Sequence, residues 1–317
     1  MNLRIFHTPP RAEIGAALEE FEAQFRYPLG GEQSFSISHG RDYITFFAAI
    51  GAPTLVVAEH RGRILGTLSA ALRALRFPDG EKRTVAYLGD LKIAPSARGG
   101  VVLARMMETL HGELAVPANG MAYGVVMDGT GRVPPSYTGR IGVPAFSKTG
   151  RLCILKATTS GFANRASTMS EITADEWLRM SDRIVLDGFL PIGGNPLLRS
   201  EMTPQFLANE SGSTVGRIED TQRAKRLFIS PDHEIRAAHL TGFTFTSAAE
   251  GAELFKHAAA LCAQRGIPTL FAAVPQSAAH MFRAVLENEI VQFVPATVFG
   301  CGFNEDEADW WVDTAEI

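Results

Sequence analysis

The sequence predicts a mixed α/β fold repeated in two tandem units, residues 1–158 and 159–317. Three observations predict it. Apolar alternation typical of strands gives way repeatedly to three- and four-residue helical spacing. In "YLGDLKIAPSARGGVVLARMM" a buried strand, a glycine-bearing turn and a helix follow one another without a break. Like elements also recur at an offset of about 150 residues, the mark of an internal duplication.

Taken in order, "RAEIGAALEEFEAQF" places Ile14, Leu18, Phe21 and Phe25 on one helical face. "PTLVVAEHRGRILGTLSAALRAL" reads as two strands joined at His60–Arg63, with Gly62 supplying the turn. "PDGEKR" is a second turn, and "TVAYLGDLKIAP" is a long strand that Pro95 closes. From Gly100 onward Leu103, Met106, Met107, Leu110 and Leu114 keep helical spacing, and "MAYGVVM" is the next strand. "AFSKTGRLCILKA" reads as a closing hairpin turned at Lys148–Gly150.

In the second unit Thr173 and Glu176 have capping-box spacing ahead of Trp177, Met180 and Ile184. "LPIGGNPLLRS" reads as a loop. The strand at Arg236–Phe245, the helix at Ala248–Gln264 and the strand at Thr269–Pro275 then match Ala86–Pro95, Arg98–Leu114 and Met121–Met127.

Composition excludes several classes. The 317 residues are 46% hydrophobic and 20% charged, with a net charge of −4. There is no basic run to hold nucleic acid or an anionic membrane. No stretch approaches the ~20 apolar residues of a membrane span, and the first residues lack an apolar signal core. Cys153, Cys262 and Cys301 are far apart, without metal or redox spacing, so reduced thiols and a cytoplasmic location are expected. The histidines show no ligand spacing, and no metal is expected. "GVPAFSKT" carries Ser147 where a phosphate-binding P-loop needs glycine, which excludes that nucleotide site.

The turn after Pro95 has the makings of an anion site. The first N–H groups of a helix lack intrahelical partners, and the helix dipole adds positive potential there. A phosphate satisfies both. Glycine lets the backbone approach closely, and Arg98 adds a charge-assisted donor.

The element order around this turn resembles the GNAT acyltransferase superfamily over roughly residues 53–157. "IAPSARGGVV" supplies the apolar-x-Pro lead of the family signature, its arginine and a glycine pair. Counted from Arg98, the family's first glycine falls on Val101 and its second small residue on Leu103. The resemblance implies two splayed strands that hold the pantetheine arm of acetyl-CoA, the acyl donor. It places Leu91, Ile93, Arg98, Gly99, Gly100, Val101 and Val102 at the cofactor, with the loop N–H groups on the pyrophosphate. The second copy reads "FTSAAEG", without arginine and with Glu250, as a degenerate site would.

Acyl transfer to an amine needs a proton acceptor for the amine and a donor for the leaving thiolate. Asp90, inside the apolar run "YLGDLKIA", is the candidate acceptor; the other reading of it is an ion pair with Lys92. The resemblance makes Tyr137 the thiolate donor, one residue farther ahead of Gly142 than is usual in the family, with Ser136 beside it. Tyr87 and Tyr123 are expected to pack or to line the acceptor pocket, and Trp310 and Trp311 to join halves or subunits. The expectation is an N-acetyltransferase acting on a small-molecule or peptide amine. A homodimer is compatible with it. Its rival is a non-catalytic acyl-CoA-binding or scaffold protein.

Overall fold

A computed structural model describes residues 1–30, 33–140, 143–163, 169–230, 233–287, 289–303 and 308–317, the side chains of residues 28–30 and 33 excepted. Gly142 lies outside the described residues. The chain opens with β1 (Asn2–Phe6), α1 (Ala12–Glu22), β2 (Tyr27–Gly30), β3 (Gln33–Ser38) and the single turn α2 (Thr45–Ala48). The hairpin β4 (Ala52–His60) and β5 (Arg63–Arg76) follows, then β6 (Lys82–Ile93), α3 (Val102–Leu114), β7 (Ala122–Met127) and β8 (Ser147–Thr158). Next come β9 (Ser170–Ile172), α4 (Ala174–Arg183), β10 (Leu190–Ile192), the turn α5 (Pro196–Arg199), β11 (Gln205–Ala208) and β12 (Thr214–Glu219). The chain closes with β13 (Arg226–Ser230), β14 (His233–Glu234), β15 (Ala237–Phe245), α6 (Ala248–Gln264), β16 (Thr269–Pro275), α7 (Ala279–Val285) and β17 (Val291–Cys301).

Sequence signals account for many of these boundaries. Arg61 and Gly62 both take positive φ, 50° and 75°, as a tight hairpin turn between β4 and β5 requires. Gly80, at φ 83°, makes the turn before β6. Thr173 and Glu176 form the full capping box of α4. On α1, Leu18 and Phe21 are buried, whereas Phe25 lies beyond the helix end.

One mixed sheet of 13 strands carries the molecule, in the order β1-β4-β5-β6-β7-β17-β8-β16-β15-β12-β11-β9, with β10 on β5. A second sheet, β14-β13-β3-β2, joins an early and a late segment. The centre of the large sheet is an exchange. β7 pairs with β17, β17 with β8, and β8 with β16, all antiparallel. Each half is thus closed by the last strand of the other. Within each half the strand before the long helix runs parallel to the strand after it: β6 to β7 around α3, and β15 to β16 around α6.

Two sequence expectations are corrected here. The hairpin at Lys148–Gly150 is absent: Ser147–Thr158 is one continuous strand. Gly150 is glycine for a packing reason. A Cβ there would collide with the indole of Trp310, which is fully buried against Tyr123 and Phe189 and donates to Thr149 O at 3.2 Å. The stretch 190–200 is not all loop either. β10 extends the sheet beside β5, and Pro196 and Asn195 set the turn α5.

α3 covers one face of the first half, where Met106, Met107 and Leu110 pack on Val56, Leu68 and Ala86. The opposite face buries Phe47, Val85, Tyr87, Tyr123 and Trp310 in a second cluster beneath α1 and α2. In the second half α6 buries Leu254, Phe255 and Ala258 against Leu240 and Leu270.

Candidate active site

β6 and β7 are paired only at Ala86↔Ala122 and Tyr87↔Tyr123, and then they part. Gly124 stands at the fork, where a Cβ would come within 2.8 Å of Leu88 O. A bulge sharpens the divergence. From Ser69 to Thr67 β5 advances two residues, while β6 runs from Gly89 to Lys92 and spends one more. The bulge turns Asp90 to φ 56°, an uncommon dihedral that aspartate tolerates better than most side chains. Gly89 is small because the Phe47 ring occupies its Cβ space.

The fork opens toward the turn at Pro95–Val101. Arg98 is extended and exposed, and Gly99 takes the left-handed conformation at φ 77°. Val101 caps α3 at φ −80° with its side chain 66% exposed, so this loop path asks nothing of glycine there. The position that needs glycine is Gly99. Among the described residues, the N–H groups from Gly99 through Ala104 have no hydrogen-bond partner; the ladder of α3 starts with Arg105 N–H to Val101 O at 3.0 Å. These donors, the helix dipole and Arg98 together could cradle an anion at the mouth of the fork. Leu91 and Ile93 line it from β6, their side chains toward α3. Beneath α3 an apolar cavity of about 40 Å³ is lined by Leu88, Met107, Leu110, Met121, Phe146 and Cys301.

The face opposite α3 holds a buried charged cluster. Glu22, at the end of α1, accepts from His39 Nδ1 and from the His39 backbone N–H, both at 2.7 Å, and from Lys92 Nζ at 2.8 Å. Lys92 also bonds to Asp90 Oδ1 and lies 3.3 Å from the Tyr43 hydroxyl. Burial pushes the Asp90 carboxyl well above its ordinary range, and the Glu22 carboxylate pushes in the same direction. Although burial opposes it, Glu22 is held down at about 2 by His39 and Lys92. Burial lowers both His39 and Lys92, with Glu22 pulling each back up. Glu22, His39 and Asp90 offer ligand atoms within 4.8 Å of one another, a spacing that could hold a metal. Lys92 already sets its ammonium between two of them.

A second buried network adjoins the first. Tyr87 donates to Glu316 O at 2.5 Å, directly at the fork. The Glu316 carboxylate pairs with Arg73 of β5 and, at 3.2 Å, with Arg199. Arg199 and Arg217 both bond to Glu219, at 2.9 Å each. Lys225 donates to Ile317 O at 2.5 Å over the Phe46 ring, and burial lowers it to about 7.

Solved structures share this architecture. Saccharomyces cerevisiae N-myristoyltransferase with bound myristoyl-CoA superimposes with a TM-score of 0.61 at 9% identity, over 96% of this chain and 83% of that one. A second structure of that enzyme, with myristoyl-CoA and inhibitors, gives 0.59 at 9% identity, over 96% and 81%. A GCN5-related N-acetyltransferase from Anabaena variabilis ATCC 29413 gives 0.53 at 11% identity, over 94% and 72%. The chain has the GNAT fold. No family model and no curated protein sequence matches it.

On this GNAT fold the residues singled out from the sequence fall into three groups. Leu91, Ile93, Arg98, Gly99, Gly100, Val101 and Val102 converge on the fork and the turn at its mouth. Asp90 faces the opposite side and is paired with Lys92. Tyr137 lies in the connection from β7 to β8, half-buried, its phenol raised to about 12 by burial. That connection packs on the α3 face through Val143 and Phe146, and among the described residues no hydrogen bond joins Tyr137 to Asp90. Tyr87 and Tyr123 pack edge to face at the fork.

Sequence reasoning missed Glu22, His39, Lys225 and Glu316. Glu22 was legible in part: it stands four residues after Leu18, on the inward face of α1. The others are brought in by tertiary contacts that no local pattern signals. Among the described residues no helix is long and apolar enough to cross a membrane.

Proposed function

We propose that the chain is an acyl-CoA-dependent N-acyltransferase whose donor site is the β6/β7 fork. The unit 1–158 takes acetyl-CoA or another acyl-CoA. The unit 159–317 is a degenerate copy that completes the acceptor side. One observation carries the reading: two parallel strands part at a bulge and lead to a turn whose helix N–H groups are unpartnered beside Arg98. The folds of an N-myristoyltransferase holding myristoyl-CoA and of an N-acetyltransferase support it.

In this reading the N–H groups of Gly99–Val102, with Arg98, bind the pyrophosphate. Leu91 and Ile93 align the pantetheine arm, and a β6 N–H polarises the thioester carbonyl. The acceptor amine enters on the face of Asp90, which receives an N–H and assists deprotonation. Tyr137, on the α3 side, protonates the departing thiolate. Much of the acceleration comes from holding donor and amine together. The amine belongs to a small molecule or a peptide.

Calorimetry with acetyl-CoA, followed by thiol release over a panel of amines, tests the proposal. The expected result is one acetyl-CoA per chain and turnover that falls in Asp90→Asn and in Tyr137→Phe. Binding with no turnover over a broad panel would make the chain a CoA-binding scaffold instead. Absence of binding removes both readings.

A further inference from the structure

Two hydrogen-bond acceptors in the charged cluster are buried and bonded to no protein group: His39 Nε2 and Asp90 Oδ2. Their side chains are only 2% and 6% exposed. Buried polar atoms are nearly always satisfied, so two orphans in one cluster need an explanation. Nε2 accepts while Nδ1 carries the proton, and Asp90 Oδ2 accepts while the pair with Lys92 keeps the carboxylate ionised. The cluster therefore suits a ligand that brings N–H donors, as a primary amine does.

The two atoms are held by one arrangement. Glu22 grips His39 at its backbone N–H and at Nδ1, which fixes the ring and assigns the Nδ1 proton to the bond with the carboxylate. Nε2 is then left with a lone pair. This is the geometry of a carboxylate-oriented imidazole base, in which the carboxylate sets the tautomer and steadies the imidazolium once it forms. Asp90 Oδ2 stands 3.8 Å from the same Nδ1, on the bulge of β6 at the fork. Rings of Tyr43 and Phe46, 4.8 and 4.9 Å away by centroid, wall the imidazole and keep it from swinging.

Resting on the acyltransferase reading, we propose that His39 is the base that takes the proton of the acceptor amine, with Glu22 as its positioning residue and Asp90 Oδ2 as the group that binds that amine. The amine nitrogen attacks the thioester carbon, and the C–N bond forms as the carbonyl π pair moves to oxygen. The N–H proton passes to His39 Nε2. The C–S bond then breaks with its electron pair on sulfur, the thiolate takes the Tyr137 proton, and the proton held on His39 passes through solvent to restore the Tyr137 phenol. The net reaction converts amine and acyl-CoA into amide and free CoA thiol.

The groups facing His39 are Glu22 from α1, Asp90 and Lys92 from β6, Tyr43 from the segment before α2, and Lys225 from the turn before β13. Burial lowers the His39 pKa, so the ring is neutral and competent at pH 7, and the acid limb of the rate profile lies below the usual histidine range. Glu22 pulls that pKa upward; Glu22→Gln therefore shifts the limb to lower pH.

The test uses the full chain with acetyl-CoA as donor and n-butylamine as acceptor. His39→Asn keeps a donor toward Glu22 but has no Nε2. It should lower turnover about 100-fold while the KM for acetyl-CoA stays within about twofold. Turnover of this variant within about threefold of the unmodified chain overturns the proposal. Ring ¹⁵N spectra of the unmodified protein give a second test that no folding defect can confuse. They should show Nδ1 protonated and Nε2 bare, and a proton on Nε2 at rest overturns the assignment. If acetyl-CoA does not bind the unmodified chain, it is the acyltransferase reading that fails; if it binds and His39→Asn is fully active, only the assignment of His39 fails.

Discussion

The molecule contains two forks, and they have opposite contents. At the first, β6 and β7 part after Tyr87↔Tyr123 and face a turn with Arg98 and free helix N–H groups. At the second, β15 and β16 part after His239↔Phe271. There the helix begins at Ser247, and Glu250 in its first turn accepts from Ser213 Oγ at 2.8 Å and Thr214 Oγ1 at 3.4 Å. The last residues of the chain enter the opening and leave a cavity of about 250 Å³ bounded by Phe245, Ala248, Pro275 and Trp311. Asp313 Oδ1 accepts from Gly242 N–H at 2.7 Å, Thr314 bonds to His239 Nδ1 at 2.9 Å, and the Trp311 ring meets Phe245 edge to face at 4.9 Å. One backbone plan thus presents helix N–H groups beside Arg98 in one half, and a first-turn carboxylate beside the chain's last residues in the other. The plan is common to both halves; the first helical turn and the occupant of the fork differ.

The largest expected effect concerns the second half. Glu219 compensates Arg199 and Arg217 in a site closed to solvent, and those arginines hold it at about 2 despite burial. Glu219→Gln leaves two buried guanidinium groups short of charge, and the loss is roughly 3–5 kcal/mol, readable as a lower urea midpoint. The sign with pH follows. A carboxylate held below its ordinary 4.5 contributes stability above that pH and loses it as pH falls through about 2. The variant should therefore lack part of the acid-side loss between those values.

Next comes the open side. Val101→Glu copies the acid of the second half into the exposed cap of α3. It should cut acetyl-CoA affinity about 100-fold and leave the melting temperature in place, since like charges at a binding site cost several kcal/mol. Gly150→Ala probes the seam between the halves. Its methyl collides with Trp310, and overpacking there should cost about 2 kcal/mol. The smallest effect belongs to Glu250→Gln. Loss of the charged acceptor for Ser213 and Thr214 should cost about 1 kcal/mol. It should confer no acetyl-CoA binding, because no arginine stands in that turn; a gain of binding would break the comparison.

The element order and the turn after Pro95 were legible because they depend on neighbours in sequence. Pro95, Gly99 and the helical spacing of Met106, Met107 and Leu110 announce strand, turn and helix locally. The central exchange was not legible, since the apolar patterns of β8 and β17 mark strands without naming partners. Gly150 misled for a related reason: glycine marks a turn or a close approach, and only the distant Trp310 decides between them. At the site, Asp90 stood out as a charge in an apolar run; the pair with Lys92 is what the structure shows, and its part in catalysis belongs to the proposal. His39 lacked any such contrast: it lies just after β3, and Glu22 reaches it from α1.

The most direct test of the account is a calorimetric titration of the full chain with acetyl-CoA, run beside Val101→Glu. The account predicts saturation at one acetyl-CoA per chain and its near-complete loss in the variant. No binding to the unmodified chain, or binding that Val101→Glu leaves intact, would contradict it.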